Sequence, residues 1–374
     1  MLIKTMLTVL TNATIFTGEA KMAGKALVIE NDKIKEIVEK EKIPAHAEVI
    51  DCDGNFIAPG LIDLQIYGGG GYLFSNNPSV EALDAMSEGL TATGTTGFLI
   101  TLATNSDEIF RKAIQVVKEN PRPAVIGLHL EGPYINPKKR GAHIPEYIKR
   151  PEIREIRELL EMAGGVIKMI TLAPEMCDPA VIKLLTEHNV VVSAGHSNAT
   201  FQEAQSGYEN GITTTTHLFN AMSSLHHRGT GLPGAAYLSK TAFASIIPDG
   251  IHVDFDTLMI SKRIMKERLF LITDAVEVSN EGAYIHVRKE DRFTLPDGTL
   301  SGSCITLLQG IKNCVERAGI SLEESLRMAS TYPAKVIGAN DLGKIAPGFK
   351  ANLTIFSEKF EPVYTIVDGK IMNK

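Results

Sequence analysis

The stretch AVIGLHLEG at residues 124–132 is an apolar run that ends in polar side chains, and its pattern decides the fold. Near-continuous runs of Val, Ile and Leu are typical of strands that are buried on both faces of a parallel sheet. Seven further runs of this kind lie along the chain: APGLIDLQIY (58–67), GFLITLAT (97–104), VIKMITLAPE (166–175), VVVSAGHS (190–197), ITTTTHLFN (212–220), AFASIIPDG (242–250) and LFLITDAV (269–276). The sequence therefore predicts eight buried strands.

Helical periodicity separates most of these runs, and the clearest helices are predicted at residues 79–94, 106–120, 152–164 and 178–189. Eight strands that alternate with helices predict an α/β fold of the (β/α)8, or TIM-barrel, type. A doubly wound open sheet shows the same alternation, but it usually has fewer strands and a glycine-rich phosphate-binding turn. The run Gly68–Gly71 is not a G-x-G-x-x-G motif followed by a helix, so the barrel is favoured.

The two ends of the chain differ from the middle because they are rich in short strands and poor in helices. Asn31-Asp32 and Asp368-Gly369 separate alternating segments, as expected for the turns of β-hairpins. Chain termini often lie close together, so both ends can belong to one small domain. We therefore predict a small β-sandwich domain from residues 1–56 and 341–374, and a barrel from residues 57–340.

Composition restricts the partners of the protein. The 374 residues include 38 Lys and Arg and 44 Asp and Glu, a formal net charge of −6, whereas nucleic-acid binding needs a basic surface. No run approaches the roughly 20 apolar residues of a membrane span, and the first residues lack the apolar core of a signal peptide. Four widely spaced cysteines without a C-x-x-C pair are typical of reduced thiols. We expect a cytoplasmic protein that binds neither nucleic acid nor membrane.

Polar side chains occur at the ends of the predicted strands, where a barrel of this type places its active site. They are Asp63, Gln65 and Tyr67 in the first run, His129 and Glu131 in the third, His196 in the fifth, His217 in the sixth and Asp274 in the eighth. Because side chains alternate along a strand, His129 and Glu131 share one face. Imidazole together with carboxylate suits zinc or another divalent first-row ion. The pattern therefore predicts a metal site at one mouth of the barrel.

Nine segments give the chain a specific resemblance to a known family. They are PGLIDLQIYGGGG (59–71), HLEGPY (129–134), KKRGAH (138–143), AGHSNAT (194–200), THLFNAM (216–222), HHR (226–228), PDGIHV (248–253), TDA (273–275) and TLSGS (299–303). Together with KIAPGFKANLTIF (344–356), they resemble the N-acetylglucosamine-6-phosphate deacetylases of the amidohydrolase superfamily. The resemblance covers nearly the whole chain. It implies a barrel of the amidohydrolase type and metal-dependent hydrolysis of N-acetylglucosamine 6-phosphate to glucosamine 6-phosphate and acetate, in amino-sugar catabolism and recycling.

The resemblance implies one divalent metal ion per chain, held by Glu131, His196 and His217, with zinc favoured and iron, cobalt or manganese as alternatives. It implies that Asp274 is the catalytic aspartate. Many amidohydrolases carry H-x-H on the first strand for a second metal, but this chain has Gln65-Ile66-Tyr67 there. Gln is a weak neutral donor and Tyr is protonated at pH 7, so a single metal is expected. Whether Gln65 contacts that metal stays open.

The family's substrate contacts correspond to Ala142, His143, Asn220, Ala221, Arg228, Asp249, Gly250, Ile251, His252, Leu300, Ser301 and Gly302. His143 is expected to steady the carbonyl oxygen, as a second catalytic residue. Arg228 is expected to bind the phosphate, because its planar guanidinium pairs with phosphate through two hydrogen bonds. In the family this arginine comes from a neighbouring subunit, which implies a homodimer. His46, His188 and His286 are interpreted as bystanders, and the role of His129 is left open.

Two other functions compete with this interpretation. A related amidohydrolase acting on a cyclic ureide or an unphosphorylated acylated amino sugar usually keeps the H-x-H pair and a carbamylated lysine, whereas this chain lacks H-x-H and retains the HHR and PDGIH segments. A non-catalytic scaffold on a decayed fold is expected to lose its ligands or its aspartate. All four of those residues are present: Glu131, His196, His217 and Asp274. The deacetylase is therefore favoured.

Overall fold

The structure of the protein is a computed structural model that describes residues 7–373, so residues 1–6 and 374 of the predicted small domain lie outside the described part. The strands are β1 Leu7–Thr11, β2 Thr14–Phe16, β3 Lys21–Ala23, β4 Lys25–Glu30, β5 Lys33–Glu39, β6 Glu48–Asp51, β7 Phe56–Pro59, β8 Leu61–Ile66, β9 Gly68–Gly69, β10 Tyr72–Leu73, β11 Thr95–Ala103, β12 Val125–Glu131, β13 Ile167–Leu172, β14 Val191–Ala194, β15 Thr214–Thr215, β16 Phe243–Ile246, β17 Leu269–Leu271, β18 Val287–Arg288, β19 Arg292–Thr294, β20 Leu300–Ser303, β21 Leu353–Phe356, β22 Pro362–Val367 and β23 Lys370–Asn373. The α-helices are α1 Val80–Ala92, α2 Asp107–Glu119, α3 Ile153–Ala163, α4 Pro179–Glu187, α5 Phe201–Glu209, α6 Gly231–Leu238, α7 Phe255–Met265, α8 Leu307–Glu316, α9 Leu322–Ala329 and α10 Thr331–Val336.

Eight parallel strands form the barrel in the order β8-β11-β12-β13-β14-β15-β16-β17, which is their order along the chain. Each strand pairs with the next in parallel. The last gap is closed just beyond β17, where the Asp274 N–H donates to the Gln65 carbonyl at 3.0 Å and the Tyr67 N–H donates to the Ala275 carbonyl at 2.9 Å. The predicted barrel and all eight of its strands are therefore confirmed.

The predicted helices are also confirmed, and their first turns follow sequence signals. Ser79 and Ser106 accept hydrogen bonds from backbone N–H groups in the first turns of α1 and α2, and Thr200 forms a capping box with Glu203 at the start of α5. Such caps satisfy N–H groups that have no partner within the helix. No helix among residues 7–373 has the length and apolar character needed to cross a bilayer.

Both ends of the chain contribute to two further sheets. A four-stranded sheet has the order β5-β4-β1-β6, and a six-stranded sheet has the order β23-β22-β21-β7-β2-β3. The second sheet joins N-terminal β7 to C-terminal β21 in antiparallel register. Buried side chains from both sheets, such as Leu27, Ile57 and Leu353, belong to one apolar cluster, so the sheets form a sandwich. The exact limits of the two domains stay a prediction.

The sandwich is fixed to the barrel at the start of β8. The Thr354 hydroxyl donates to the carbonyl of Gly94 at 2.7 Å and accepts the N–H of Leu61 at 3.2 Å. Gly60 lies directly before β8, and a Cβ there would come within 2.0 Å of the Thr96 hydroxyl oxygen. Only glycine allows this close approach, so no larger residue fits at the junction without a shift of Thr96.

A short antiparallel sheet, β18-β19-β20, lies between β17 and α8 and is joined to the barrel by a bridge between Ala275 and Ser303. The sequence analysis does not predict this sheet as a unit. Its segment carries Tyr284, His286 and Leu300–Gly302 to the mouth of the barrel.

We predict that Thr354→Val lowers the free energy of unfolding by about 2–4 kcal/mol, because it leaves a buried N–H and a buried carbonyl without this partner. Urea denaturation measures the effect. Thr214→Val is the matched control, since the Thr214 hydroxyl is buried and has no hydrogen-bond partner. The control should leave stability unchanged or raise it, and equal losses in both variants would contradict the prediction.

Candidate active site

The candidate site lies at the carboxyl ends of the barrel strands. Glu131 is the last residue of β12, while His196, His217 and Asp274 follow β14, β15 and β17. These last three residues have left-handed backbone conformations, with φ of 43°, 31° and 55°. Non-glycine residues rarely adopt such φ values, and they concentrate at functional sites where the surrounding structure holds them. The turns bring all four side chains to one place.

Three ligand atoms form a small triangle at the floor of the site. His217 Nε2 lies 3.0 Å from Glu131 Oε1, His196 Nε2 lies 3.4 Å from the same oxygen, and the two nitrogens are 3.2 Å apart. A tetrahedral ion with bonds of about 2.0–2.1 Å separates its ligands by about 3.3–3.4 Å. The three predicted ligands therefore have the spacing that one divalent ion requires.

The hydrogen bond on the far side of His196 supports this assignment. Its Nδ1 lies 2.9 Å from the backbone carbonyl of Lys139, which can only accept, so Nδ1 carries the hydrogen in the neutral ring. His196 Nε2 then has a free lone pair directed at the triangle. Ligating histidines commonly hold their other ring nitrogen in this way.

His143 also lies close to Glu131 and His196, so its ring is a second candidate for the third ligand. Its hydrogen bonds argue for a different role. His143 Nδ1 accepts the backbone N–H of Thr104 at 3.1 Å, so the neutral ring carries its hydrogen on Nε2. That Nε2 donates to Glu131 Oε2 at 3.1 Å. His143 is therefore a hydrogen-bond donor to Glu131 in this arrangement, and its Nε2 has no free lone pair to direct at the triangle.

Gln65 and Tyr67 occupy the positions at which many amidohydrolases have H-x-H. The Gln65 amide nitrogen donates to Asp274 Oδ1 at 2.7 Å and to Glu131 Oε1 at 3.0 Å, and the Tyr67 hydroxyl donates to Glu131 Oε2. The orientation of the amide follows from its carboxylate partners. Both side chains thus act as hydrogen-bond donors to carboxylates. The cluster indicates a single metal site.

Burial and neighbouring charge shift the pKa values in the site. Burial, and then the negative charges of Glu131 and Asp63, raise the pKa of Asp274 well above its usual range. Burial alone would raise the pKa of Glu131, but the neighbouring imidazoles, His196 first and then His143 and His217, hold this pKa well below its usual range. Burial lowers the pKa of His143 to about 4, so this ring is neutral at pH 7.

The site opens into a cavity of about 390 Å³. Nine of its lining residues beyond the metal ligands were predicted: Asp274, Ala142, His143, Asn220, Ala221, His252, Leu300, Ser301 and Gly302. Four predicted contacts are not part of its wall: Arg228, Asp249, Gly250 and Ile251. Arg228 is exposed on the loop between β15 and α6. Asp249 instead holds His252, whose Nδ1 lies 2.5 Å from Asp249 Oδ2.

Several wall residues were missed by the sequence analysis, among them Ser75, Lys138, Lys139, Tyr284 and His286. The two lysines stand in the quoted segment KKRGAH, so their proximity to His143 was a usable signal. Ser75, Tyr284 and His286 lie outside the barrel strands, and strand-end reasoning gave no signal for them. The interpretation of His286 as a bystander does not match its place in the cavity wall.

Sequence models of two families match the chain: the amidohydrolase family over residues 56–372, and the NagA composite domain over residues 9–57. The chain belongs to the amidohydrolase family. An N-acetylglucosamine-6-phosphate deacetylase of Haemophilus influenzae is 34% identical to this amidohydrolase, over 96% of this chain and 98% of that protein. An N-acetylgalactosamine-6-phosphate deacetylase of Escherichia coli O157:H7 is 31% identical, over 88% of this chain and 90% of that protein.

Solved structures of deacetylases share the whole fold of this amidohydrolase. The N-acetylglucosamine-6-phosphate deacetylase of Pasteurella multocida superposes with a TM-score of 0.94 at 37% identity, covering 98% of this chain and 99% of that chain. A mutant of the Mycobacterium smegmatis enzyme, in complex with N-acetyl-D-glucosamine-6-phosphate, superposes with a TM-score of 0.89 at 25% identity, covering 99% of this chain and 100% of that chain.

His129, whose role the sequence left open, lies inside the barrel of this amidohydrolase. Its Nδ1 lies 2.9 Å from the carbonyl of Leu64, and its Nε2 lies 2.7 Å from the hydroxyl of Thr171. The first contact requires a hydrogen on Nδ1, so Nε2 of the neutral ring accepts the hydroxyl. Burial lowers the pKa of His129 to about 4. His129 thus supports the strand that carries Glu131 and stays uncharged.

We predict that His129 makes the amidohydrolase less stable as the pH falls from about 6.5 to 4. An unfolded histidine binds a proton near pH 6.5, whereas folded His129 does so only near pH 4, so acid favours unfolding by about 3 kcal/mol over this range. His129→Gln should remove this part of the pH dependence in urea denaturation. His46→Gln is the control, because His46 is exposed. An unchanged pH dependence in His129→Gln would contradict the prediction.

Proposed function

We propose that this amidohydrolase removes the acetyl group of N-acetylglucosamine 6-phosphate, giving glucosamine 6-phosphate and acetate in amino-sugar catabolism and recycling. The observation that carries the proposal is the triangle of Glu131, His196 and His217 at 3.0–3.4 Å, with Asp274 joined to it through the Gln65 amide. Relatives that carry this name match nearly the full chain, which supports the same substrate class.

Glu131, His196 and His217 would hold one divalent ion, with zinc favoured and iron, cobalt or manganese as alternatives. The donor set fits such an ion, because it combines two imidazole nitrogens with one carboxylate oxygen. When bound, the ion supplies a Lewis acid that lowers the pKa of water and polarises an amide carbonyl. The remaining steps fall to side chains of this chain.

Asp274 would move the proton. A carboxylate of raised pKa is a stronger base, so Asp274 can accept a proton from the attacking water and then give it to the departing nitrogen. His143 lines the same cavity and carries its hydrogen on Nε2, so it would be the neutral donor to the carbonyl oxygen once this N–H turns from Glu131 Oε2 to the substrate.

Phosphate recognition would use His252 and Arg228. His252 lines the cavity and is oriented by Asp249, whereas Arg228 lies outside the wall of its own chain's cavity. We therefore propose that the protein is a homodimer in which Arg228 enters the cavity of the partner subunit.

The free state of Cys52, Cys177, Cys304 and Cys314 supports the proposed cytoplasmic location.

The second candidate substrate is the C4 epimer, N-acetylgalactosamine 6-phosphate. It is favoured by relatives named N-acetylgalactosamine-6-phosphate deacetylases, which are 31% and 34% identical to this chain. Acetate release from both sugar phosphates, measured side by side, decides between them. A protein that releases acetate from neither would contradict both.

We predict that a chelator abolishes acetate release and that fully active protein contains one ion per chain. His196→Gln should lose the ion, because it removes a ligand. The matched variant His143→Gln should keep the ion, but its kcat should fall by about 10²–10³ because the donor to the carbonyl oxygen is lost. Metal analysis and kinetics of the two variants measure this difference. Two tightly bound ions per chain, or loss of the ion from His143→Gln, would contradict the assignment.

We predict that Arg228→Ala raises KM for the phosphorylated sugar by about 10- to 100-fold, the effect of losing a charge-assisted hydrogen bond. Activity on unphosphorylated N-acetylglucosamine should change little.

Asp274→Asn should lower kcat by about 10²–10⁴ while the protein stays folded. Mixed dimers of the two variants should regain activity, since one of the two sites would then have Asp274 together with Arg228 of the partner subunit. Verified mixed dimers without recovery would place Arg228 in its own subunit's site.

A further inference from the structure

His286 presents an unused hydrogen-bonding atom in the wall of the cavity. The residue is 4% exposed and lines the cavity together with Ser301. Its Nδ1 lies 2.8 Å from the Ser301 hydroxyl oxygen, and no hydrogen bond forms at its Nε2 within residues 7–373. Because the residue lines the cavity, this free nitrogen can pair with a ligand that enters it.

The ring of His286 is held firmly in place. It lies parallel to the ring of Tyr284, with 6.1 Å between the ring centres and 6° between the planes. The Tyr284 hydroxyl donates to the carbonyl of Thr104, and its backbone N–H and carbonyl bind the Asn76 amide at 3.0 and 2.8 Å. The backbone of His286 itself pairs with Ser279 in both directions. The free nitrogen is therefore positioned before any ligand arrives.

The chemistry of this nitrogen favours a neutral ligand group. Burial lowers the pKa of His286 to about 4, so the ring carries no charge at pH 7 and cannot neutralise a phosphate. A hydroxyl group both donates and accepts, so it can pair with Nε2 whichever ring nitrogen carries the hydrogen. An anionic oxygen could pair with only one of the two tautomers.

We infer that His286 Nε2 binds a hydroxyl group on the sugar ring of the substrate, which makes His286 a specificity-determining residue of the cavity. The inference rests on the proposed function, because that function supplies the sugar. The acetamide and the phosphate are assigned to other groups, which leaves the ring hydroxyls and the ring oxygen, and only a hydroxyl can pair with either tautomer of His286.

His286→Phe and His286→Gln test the inference in the full-length, metal-loaded protein. Phe keeps a planar ring against Tyr284 and removes both nitrogens, and it should raise KM about tenfold with kcat within about threefold of wild type. Gln offers a donor and an acceptor at similar reach and should restore most of the affinity. His188→Phe is the matched control, since His188 also bonds through Nδ1, at 2.9 Å to the Leu184 carbonyl, but lies outside the cavity wall.

Substrate analogues identify the hydroxyl. The 1-deoxy, 3-deoxy and 4-deoxy forms of N-acetylglucosamine 6-phosphate are assayed with wild type and with His286→Phe. For the analogue that lacks the bound hydroxyl, the two proteins should have the same kcat/KM, whereas the other analogues should keep the tenfold difference.

Three results would overturn the inference. The first is an unchanged KM in His286→Phe. The second is a loss of activity in this variant that is confined to kcat or accompanied by a lower melting temperature. The third is a difference in kcat/KM between wild type and His286→Phe that stays undiminished with all three analogues. A wild-type protein that is inactive on N-acetylglucosamine 6-phosphate would overturn the proposed function, and the inference with it. An active wild type with normal His286→Phe kinetics would overturn the inference alone.

Discussion

The site depends on one buried negative charge, the carboxylate of Glu131, which is 2% exposed. A carboxylate in such surroundings destabilises the fold unless it is paired and hydrogen-bonded. Its partners come from the ends of several barrel strands and the loops after them: Gln65, Tyr67, His143, His196 and His217. The charge is therefore satisfied only when the barrel closes in the correct register, which links the chemistry of the site to the whole fold.

The same constraint explains why the turns after the strands are strained. The backbone of His196, His217 and Asp274 is left-handed, at a cost of about 1–3 kcal/mol per residue. A relaxed turn would direct these side chains elsewhere and leave Glu131 without its imidazoles. A divalent ion held by these residues would bind the assembled site, so its binding free energy would stabilise the strained arrangement. Gln65 and Tyr67 meanwhile donate to the carboxylates without adding a second positive charge.

The barrel and the meeting of polar side chains at its mouth could be predicted from short-range patterns, whereas the choice of metal ligands among those side chains came from the family resemblance. Buried parallel strands appear as apolar runs, and a barrel brings the polar residues at their ends together, as for Glu131 and His217. The role of His143 depends on which of its nitrogens carries the hydrogen, and that follows from the Thr104 N–H, 39 residues earlier in the chain. His286 lies directly before the short strand β18, outside the periodic segments of the chain, so its place in the cavity depends on tertiary packing.

Apart from the carboxyl groups at the metal site, the cavity wall contains neutral imidazoles and cationic lysines. Burial keeps His143 and His286 neutral within it, whereas the cationic side chains Lys138 and Lys139 lie on its more exposed side. A charged side chain costs little free energy where water still solvates it and much more where water is excluded. A ligand with an anion at one end and a neutral amide at the other matches this separation. The net charge of −6 therefore does not prevent the binding of a sugar phosphate, because the local arrangement outweighs the average field.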